Sequence, residues 1–413
     1  MTTDLEARIR ERIQREGPLT FAAFMEMALY EPGLGYYTSG ADRVGPQGDF
    51  YTSPAAHPAF AALLGLQVEQ LWRLLGAPGA FPVLEVGAGK GLLRDDLHAF
   101  LEAFAPACAR ALRYSALDAG TPGAAWPASA FAGAIISNEL FDSLPFHRLV
   151  REGDQLREVY VTLLGEGLAE VRAEPSEPAL ARYLEAEGIT LEEGQETEVC
   201  LKAGPLLERL AGLLERGLII TVDYGELAPA RHSRRRRHGT ALCYYRHGTN
   251  EDFLRRLGRQ DITAHVDFTA LVGAGEAAGL ENLGFPSQAE LLRNLGWEAF
   301  AALLPRRGLP ATQVQANLFG LRELVKPEGM GRFRALIQGR GLAAGELDGL
   351  RYDPQRVARL VALGERLPIP LLREAHTPLL AGRYPHTEVD WSDQLGRWLE
   401  EGTSPPPGQA SGP

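Results

Sequence analysis

Cysteine is scarce in this chain: three residues in 413, Cys108, Cys200 and Cys243, stand far apart and form no CxxC. That excludes a disulfide framework and a cysteine-built zinc site, and it fits a reducing compartment. Long apolar runs are missing as well. No stretch reaches the roughly 18 residues that a membrane-spanning helix needs, and the opening MTTDLEARIRERIQREGP mixes acids with arginines and lacks an apolar h-region. These absences predict a soluble, cytoplasmic protein without membrane insertion. Positive charge is in deficit, with 42 Lys and Arg against 53 Asp and Glu and a net charge of −11, which argues against nucleic-acid partners. Internal repeats are lacking too.

What is present is ordinary globular material, 45% hydrophobic and 23% charged, enough for two or three domains at roughly 150 residues each. Leu5, Ile9 and Ile13 recur at four-residue spacing before Gly17-Pro18, which predicts a first helix. Thr20 can cap a second, carrying Phe21, Phe24, Met25, Ala28 and Leu29 and ending at Glu31-Pro32-Gly33. A Gly- and Tyr-rich segment and a helix over 58–76 follow. Strand signals at 81–86, 114–117 and 131–137 then alternate with helical sequence at 91–112, the pattern of a doubly wound α/β sheet. A hairpin insertion is expected over about 148–203, then a helix at 204–216 and a buried parallel strand at 218–223. RHSRRRRH at 231–238 reads as a solvated loop in an otherwise acidic chain. Asp353-Pro354 opens a further helix. The expected organisation is an amino-terminal helical and lid segment (1–80), a core (81–342), a helical extension (343–400) and a disordered tail (401–413).

The most informative run is VLEVGAGKGLL, where strand, glycine turn and helix follow in the order a nucleotide-type cofactor needs. Gly87, Gly89 and Gly91 spell GxGxG around Ala88. A phosphate loop is excluded because Lys90 precedes Gly91 instead of a Ser or Thr. A dinucleotide fingerprint fails by one position, since Leu92 stands where its third glycine belongs. With Glu85 two residues ahead, the turn resembles motif I of class I S-adenosylmethionine (SAM) methyltransferases, although a glycine turn can also serve packing alone. Asp118 ends the second strand, where such folds place an acid for ribose hydroxyls. Asn138, Glu139 and Asp142 cluster at the carboxyl end of the third strand, and one helical turn would set both acids on one face. An N-cap role for Asn138 and solvation for the acids are the alternatives. His265 is a candidate proton relay or a structural histidine, with Asp261 and Asp267 able to position it or to cap a helix. Tyr244 and Tyr245 either line a slot for a cation or pack within a strand. No metal constellation is visible.

The blocks GPLTFAAFMEMALYEPGLGYY, GDFYTSP, LEVGAGKGLL, SNELFDSLPFHR, TVDYGE, GTALCYYRH, QDITAHVDFTAL, LRNLG and MGRFRALIQ stand in an order that resembles the MidA-type SAM-dependent methyltransferases, relatives of a mitochondrial complex I assembly factor that methylates arginine in a protein. The resemblance spans about Gly17 to Leu342. It implies a class I, Rossmann-like methyltransferase fold, SAM as cofactor with S-adenosylhomocysteine as product, no metal, and protein arginine methylation of a partner presenting an arginine. A homodimer is left open. By this resemblance Glu85, Gly87, Ala88, Gly89 and Gly91 match the SAM loop and NELFD matches the active-site signature. With the residue readings above, Asp118 and Asn138 complete the cofactor set, Glu139, Asp142 and His265 are the catalytic candidates, and Tyr244 and Tyr245 the substrate contacts. The sequence departs from the family at Ala55 and His57, and in the dozen or so residues between Asp118 and the third strand, where the family has a helix and a longer loop. A SAM-binding assembly module without turnover and a methyltransferase for another nucleophile are the alternatives.

Overall fold

In apolar runs covered on both sides, successive side chains must enter different cores, because strand side chains alternate faces. The computed structural model, which describes residues 3–40, 49, 51–120 and 125–376, shows this in a six-stranded sheet. Its strands are β1 (Phe81–Val86), β2 (Leu112–Leu117), β3 (Phe131–Asn138), β4 (Leu214–Asp223), β5 (Glu281–Gly284) and β6 (Arg334–Arg340). They lie in the order β5-β6-β4-β3-β1-β2. The four strands from β4 to β2 run parallel, whereas β6 is antiparallel to both β4 and β5. Val83, Ile136 and Ile220 join one core with the helices Ala59–Leu74, Leu92–Phe104, Gln288–Leu295 and Trp297–Leu303. Their neighbours Leu84, Ile135 and Ile219 join the opposite core with Ala203–Gly212 and Phe268–Ala277. The doubly wound α/β fold expected from the sequence is therefore the fold observed. The helix expected over 91–112 is divided at Ala105, because Pro106 starts a second helix, Pro106–Ala111.

The amino-terminal helices form where their spacing and caps predict. Asp4–Glu16 buries Leu5, Ile9 and Ile13, and Thr20 accepts the Ala23 N–H at the start of Phe21–Tyr30. They pack on a second sheet built from Leu19–Thr20, His147–Glu152, Gln155–Leu164, Gly167–Ala173 and Glu196–Val199. Phe21 anchors the contact, stacked on Phe146 and edge-on to Phe253 at 5.5 and 5.2 Å. The strands from His147 to Val199 and the helix Pro178–Ala186 occupy the stretch where a hairpin insertion is expected, and Leu19–Thr20 joins their sheet from the amino-terminal segment.

The basic block departs from expectation. Arg231 and His232 are buried, and Arg231 binds the buried Glu198 at 3.0 Å while its Nε donates to the His265 carbonyl at 2.8 Å. Arg236 pairs with Glu226. Half the block is solvated, but Arg231 ties the insertion to His265, because its carboxylate partner Glu198 lies far away in sequence.

Beyond 342, Leu347, Leu360 and Leu367 join the first core. Asp353 caps Pro354–Ala362. The described chain ends at His376, fully buried, with Nε2 2.6 Å from Asp96 on the helix Leu92–Phe104. The rest of the expected extension, 377–400, and the expected disordered tail lie outside the described residues. No helix among the described residues is long and apolar enough to cross a membrane.

Candidate functional site

The carboxyl ends of β1, β2, β3 and β4 meet along one edge, and the sequence candidates gather there. Chain leaving β1 turns through Gly87, Gly89 and Gly91, with φ of +79°, +50° and +76°, conformations in which a side chain is strained. Gly91 then starts the helix Leu92–Phe104. Asp118, just past β2, accepts the N–H of Gly89 at 2.8 Å and of Gly120 at 2.9 Å. Glu85 is nearly buried and accepts from the Tyr114 hydroxyl at 2.9 Å; burial pushes its carboxyl up to about 7.

At the end of β3, Glu139 adopts a left-handed conformation (φ +51°), so the chain turns sharply instead of entering the helical turn expected from the sequence. Its Oε1 accepts from Asn138 Nδ2 at 2.9 Å and from the Ser53 N–H at 3.2 Å. Desolvation, then the Asp142 charge, raises its carboxyl to about 8. Asp142 is buried, takes the Tyr224 hydroxyl on Oδ2, and is raised by desolvation. Its Oδ1, like Asn138 Oδ1, is buried without a hydrogen-bond partner among the described residues. Two further acids border the cluster. Asp223 accepts from the N–H groups of Leu140, Phe141 and Tyr224, and Asp261 takes the Tyr37 hydroxyl at 2.8 Å. Both are pushed well above the carboxylate range, by burial first and Asp142 second. No described Lys or Arg side chain forms an ion pair with any of the four.

His265 sits on Glu226, with Nδ1 2.9 Å from Oε2. The pair exists because two short strands, Gly225–Glu226 and Val266–Asp267, run parallel side by side. The sequence candidates for this role are elsewhere: Asp261 holds Tyr37, and Asp267 caps Phe268–Ala277 through the Thr269 N–H. Tyr244 faces the acids, which along with burial raise its hydroxyl, whereas Tyr245 lies under the protein's own Arg256 at 4.8 Å and Arg246 at 5.3 Å. The structure thus separates the two tyrosines that the sequence grouped. Asp49, from the GDFYTSP block, accepts the N–H groups of Arg246 and His247 and fixes a hairpin whose two central residues have positive φ.

One grouping with metal-ligand composition was not visible in the sequence: ligand atoms of Glu187, His232 and Asp267 lie within 4.8 Å of one another. Arg231 Nη1, at 3.2 Å from His232 Nε2, already brings a cation there. Residues missed by sequence reasoning are Glu226, Asp223, Tyr224 and Ser53. The signal for the first three was TVDYGE, a strand end carrying two acids and a tyrosine.

The family model of S-adenosyl-L-methionine-dependent methyltransferases matches residues 63–122 and 122–286, more than half of the chain. The crystal structure of a Burkholderia thailandensis protein bound to S-adenosyl-homocysteine superposes with a TM-score of 0.71 at 30% identity, covering 84% of this chain and 94% of that one. The human mitochondrial protein arginine methyltransferase NDUFAF7 is 27% identical over 87% of this chain and 89% of its own, and the Drosophila melanogaster homologue is 27% identical over 83% and 86%. The expectation of a cytoplasmic protein is corrected by these relatives, which are mitochondrial. The edge also suits the cofactor. A Cβ on Gly89 would meet no atom within 4 Å, so open space faces the turn, and Asn138 offers its unused acceptor beside it. The glycine turn, the acid that holds it and the matching comparisons converge: the chain belongs to the MidA-type family of SAM-dependent methyltransferases.

Proposed function

We propose that this enzyme methylates an arginine of a protein substrate. The observation that carries the reading is the buried carboxylate cluster at the end of β3, where Asp142 Oδ1 has no hydrogen-bond partner among the described residues and no described cation neutralises Glu139 or Asp142. Burying uncompensated acids is costly, and a guanidinium entering between them relieves that cost while satisfying the open acceptor. The protein arginine methyltransferase relatives support the same reading.

Gly87, Ala88, Gly89 and Gly91 would hold the cofactor with Asp118 and Asn138. Bound SAM supplies an electrophilic methyl carbon on a sulfonium. Glu139 and Asp142 grip the guanidinium by charge-assisted hydrogen bonds and orient one nitrogen for in-line attack. Tyr224 fixes the Asp142 rotamer by donating to Oδ2. Glu226 selects the His265 tautomer with its proton on Nδ1, leaving Nε2 to take the proton released from the methylated nitrogen.

The test is incubation with SAM and arginine-bearing peptides, read by mass spectrometry for methylarginine. Glu139→Gln and Asp142→Asn should lose transfer and keep S-adenosylhomocysteine binding. Full transfer by both variants would overturn the assignment.

A further inference from the structure

Beside the acid cluster opens a cavity of about 300 Å3 whose walls include Tyr224, Glu226, His265, Arg332 and Arg334. Strand pairing explains the two arginines. Arg334, first residue of β6, lies opposite Asp223, last residue of β4, so the preceding MGRF segment runs past the carboxyl edge of the sheet. There Phe333 packs on Tyr224 with ring centroids 5.5 Å apart.

Arg332 is exposed, and Arg334 is half-buried with its guanidinium 4.6 Å over the Phe285 ring. Neither forms a salt bridge among the described residues. The carboxylate nearest to them on the wall, Glu226, is committed to His265 and Arg236. Burial and the charges of Asp142, Glu139 and Asp261 raise the Tyr244 hydroxyl, and Arg332 opposes them. The cavity therefore carries on its wall two arginines that form no salt bridge among the described residues, with its one carboxylate already paired. These arginines do not serve the carboxylate of the cofactor: β6 and β4 lie on one side of β3 and the glycine turn after β1 on the other, so at ~4.8 Å per strand the turn after β1 is about 10 Å from β4.

We propose that Arg332, assisted by Arg334, binds an acidic side chain of the substrate, so that the enzyme prefers an arginine accompanied by Asp or Glu nearby in the peptide. The preference rests on the arginine reading above and names its substrate class. Arg332 acts on binding and leaves the chemistry to the acid cluster and His265.

The experiment uses the full chain and short peptides with one arginine and one glutamate at varied spacing, each matched by a glutamine version. Two readouts are taken: KM and kcat for methylation, and equilibrium binding by fluorescence anisotropy with S-adenosylhomocysteine present. In the wild type the best glutamate peptide should bind about fivefold tighter than its glutamine match, the size of an exposed ion pair, with the difference in KM. Arg332→Ala should remove most of that difference, and Arg332→Glu should reverse it in favour of a lysine-bearing peptide. Equal binding of the glutamate and glutamine peptides by the wild type, or a preference that survives in the Arg332→Ala/Arg334→Ala double variant, overturns the subsite. Arg332-dependent glutamate preference in binding without methylation supports the subsite and defeats the arginine reading. Methylation without preference does the opposite, and neither binding nor methylation defeats both.

Discussion

Asp118 Oδ2 lies 2.8 Å from the Gly89 amide nitrogen, so the acid ending one strand holds the glycine turn that leaves its neighbour. Turn and acid, which the cofactor is expected to touch, are bonded to each other. Replacing Asp118 by Ala should therefore cost twice, in the ribose contact and in the set of the turn. Two charge-assisted hydrogen bonds at stake imply a loss of about 2–3 kcal/mol in S-adenosylhomocysteine affinity, read by titration calorimetry.

Gly89→Val isolates the space in front of the turn. Its Cβ would meet no protein atom within 4 Å, so the folded state loses only the strain of a positive φ, about 1–2 kcal/mol. Cofactor binding should vanish in calorimetry while a cooperative thermal transition remains. Binding undiminished by the valine would place the cofactor elsewhere.

Glu139 makes the activity pH-dependent. Its folded carboxyl titrates near about 8 against an ordinary 4.5, so it must lose its proton before it can grip a guanidinium. Accordingly kcat/KM for an arginine peptide should rise as pH passes through about 8, and the Glu139→Gln variant should lack that limb. Stability has the opposite sign. The native state holds this proton more tightly than the unfolded chain, so Glu139 contributes a fall in stability as pH rises from about 4.5 to about 8. Melting curves of wild type and Glu139→Gln should converge at the acid end of that window.

Gly225 carries no side chain because a Cβ there would fall 2.1 Å from the Val266 carbonyl oxygen. Gly225→Ala must part the two short strands that bring Glu226 to His265. The expected result is a loss of about 1–3 kcal/mol in stability and a fall in kcat steeper than in cofactor affinity, measured by urea unfolding and steady-state kinetics.

Glu198→Gln should be among the most destabilising single changes, at about 3–5 kcal/mol by urea unfolding, because it strands the Arg231 guanidinium in the interior. The same loss should loosen His265, whose carbonyl Arg231 holds.

Local chemistry was legible in the sequence. The β1 turn and the caps of Thr20 and Asp353 depend on residues within a few positions of one another and form as read, and of the two roles open to Asp267 the local one, the helix cap, is the one observed. Pairings across distance were not. Nothing in spacing joins Glu226 to His265 or Arg231 to Glu198, since these meet through a two-residue strand bridge and through an insertion folding back on the sheet. For the same reason the basic block looked like a solvated loop: its counter-ions belong to other elements. The turn at Glu139 escaped because the spacing of its two acids matches a helix, while the observed positive φ is imposed by the end of β3 against β4.

The late position of β6 in the chain governs how the enzyme can be made. Residues 334–340 lie between β4 and β5, and His376 closes onto the helix that starts at the glycine turn. During synthesis the edge of β4 that will receive β6 waits unpaired while more than a hundred residues are added. A half-made chain thus presents a hydrogen-bonding template to other chains. The growing polypeptide cannot complete its main sheet before almost all of the described chain has left the ribosome, which ties the first appearance of the fully paired sheet to near-complete translation.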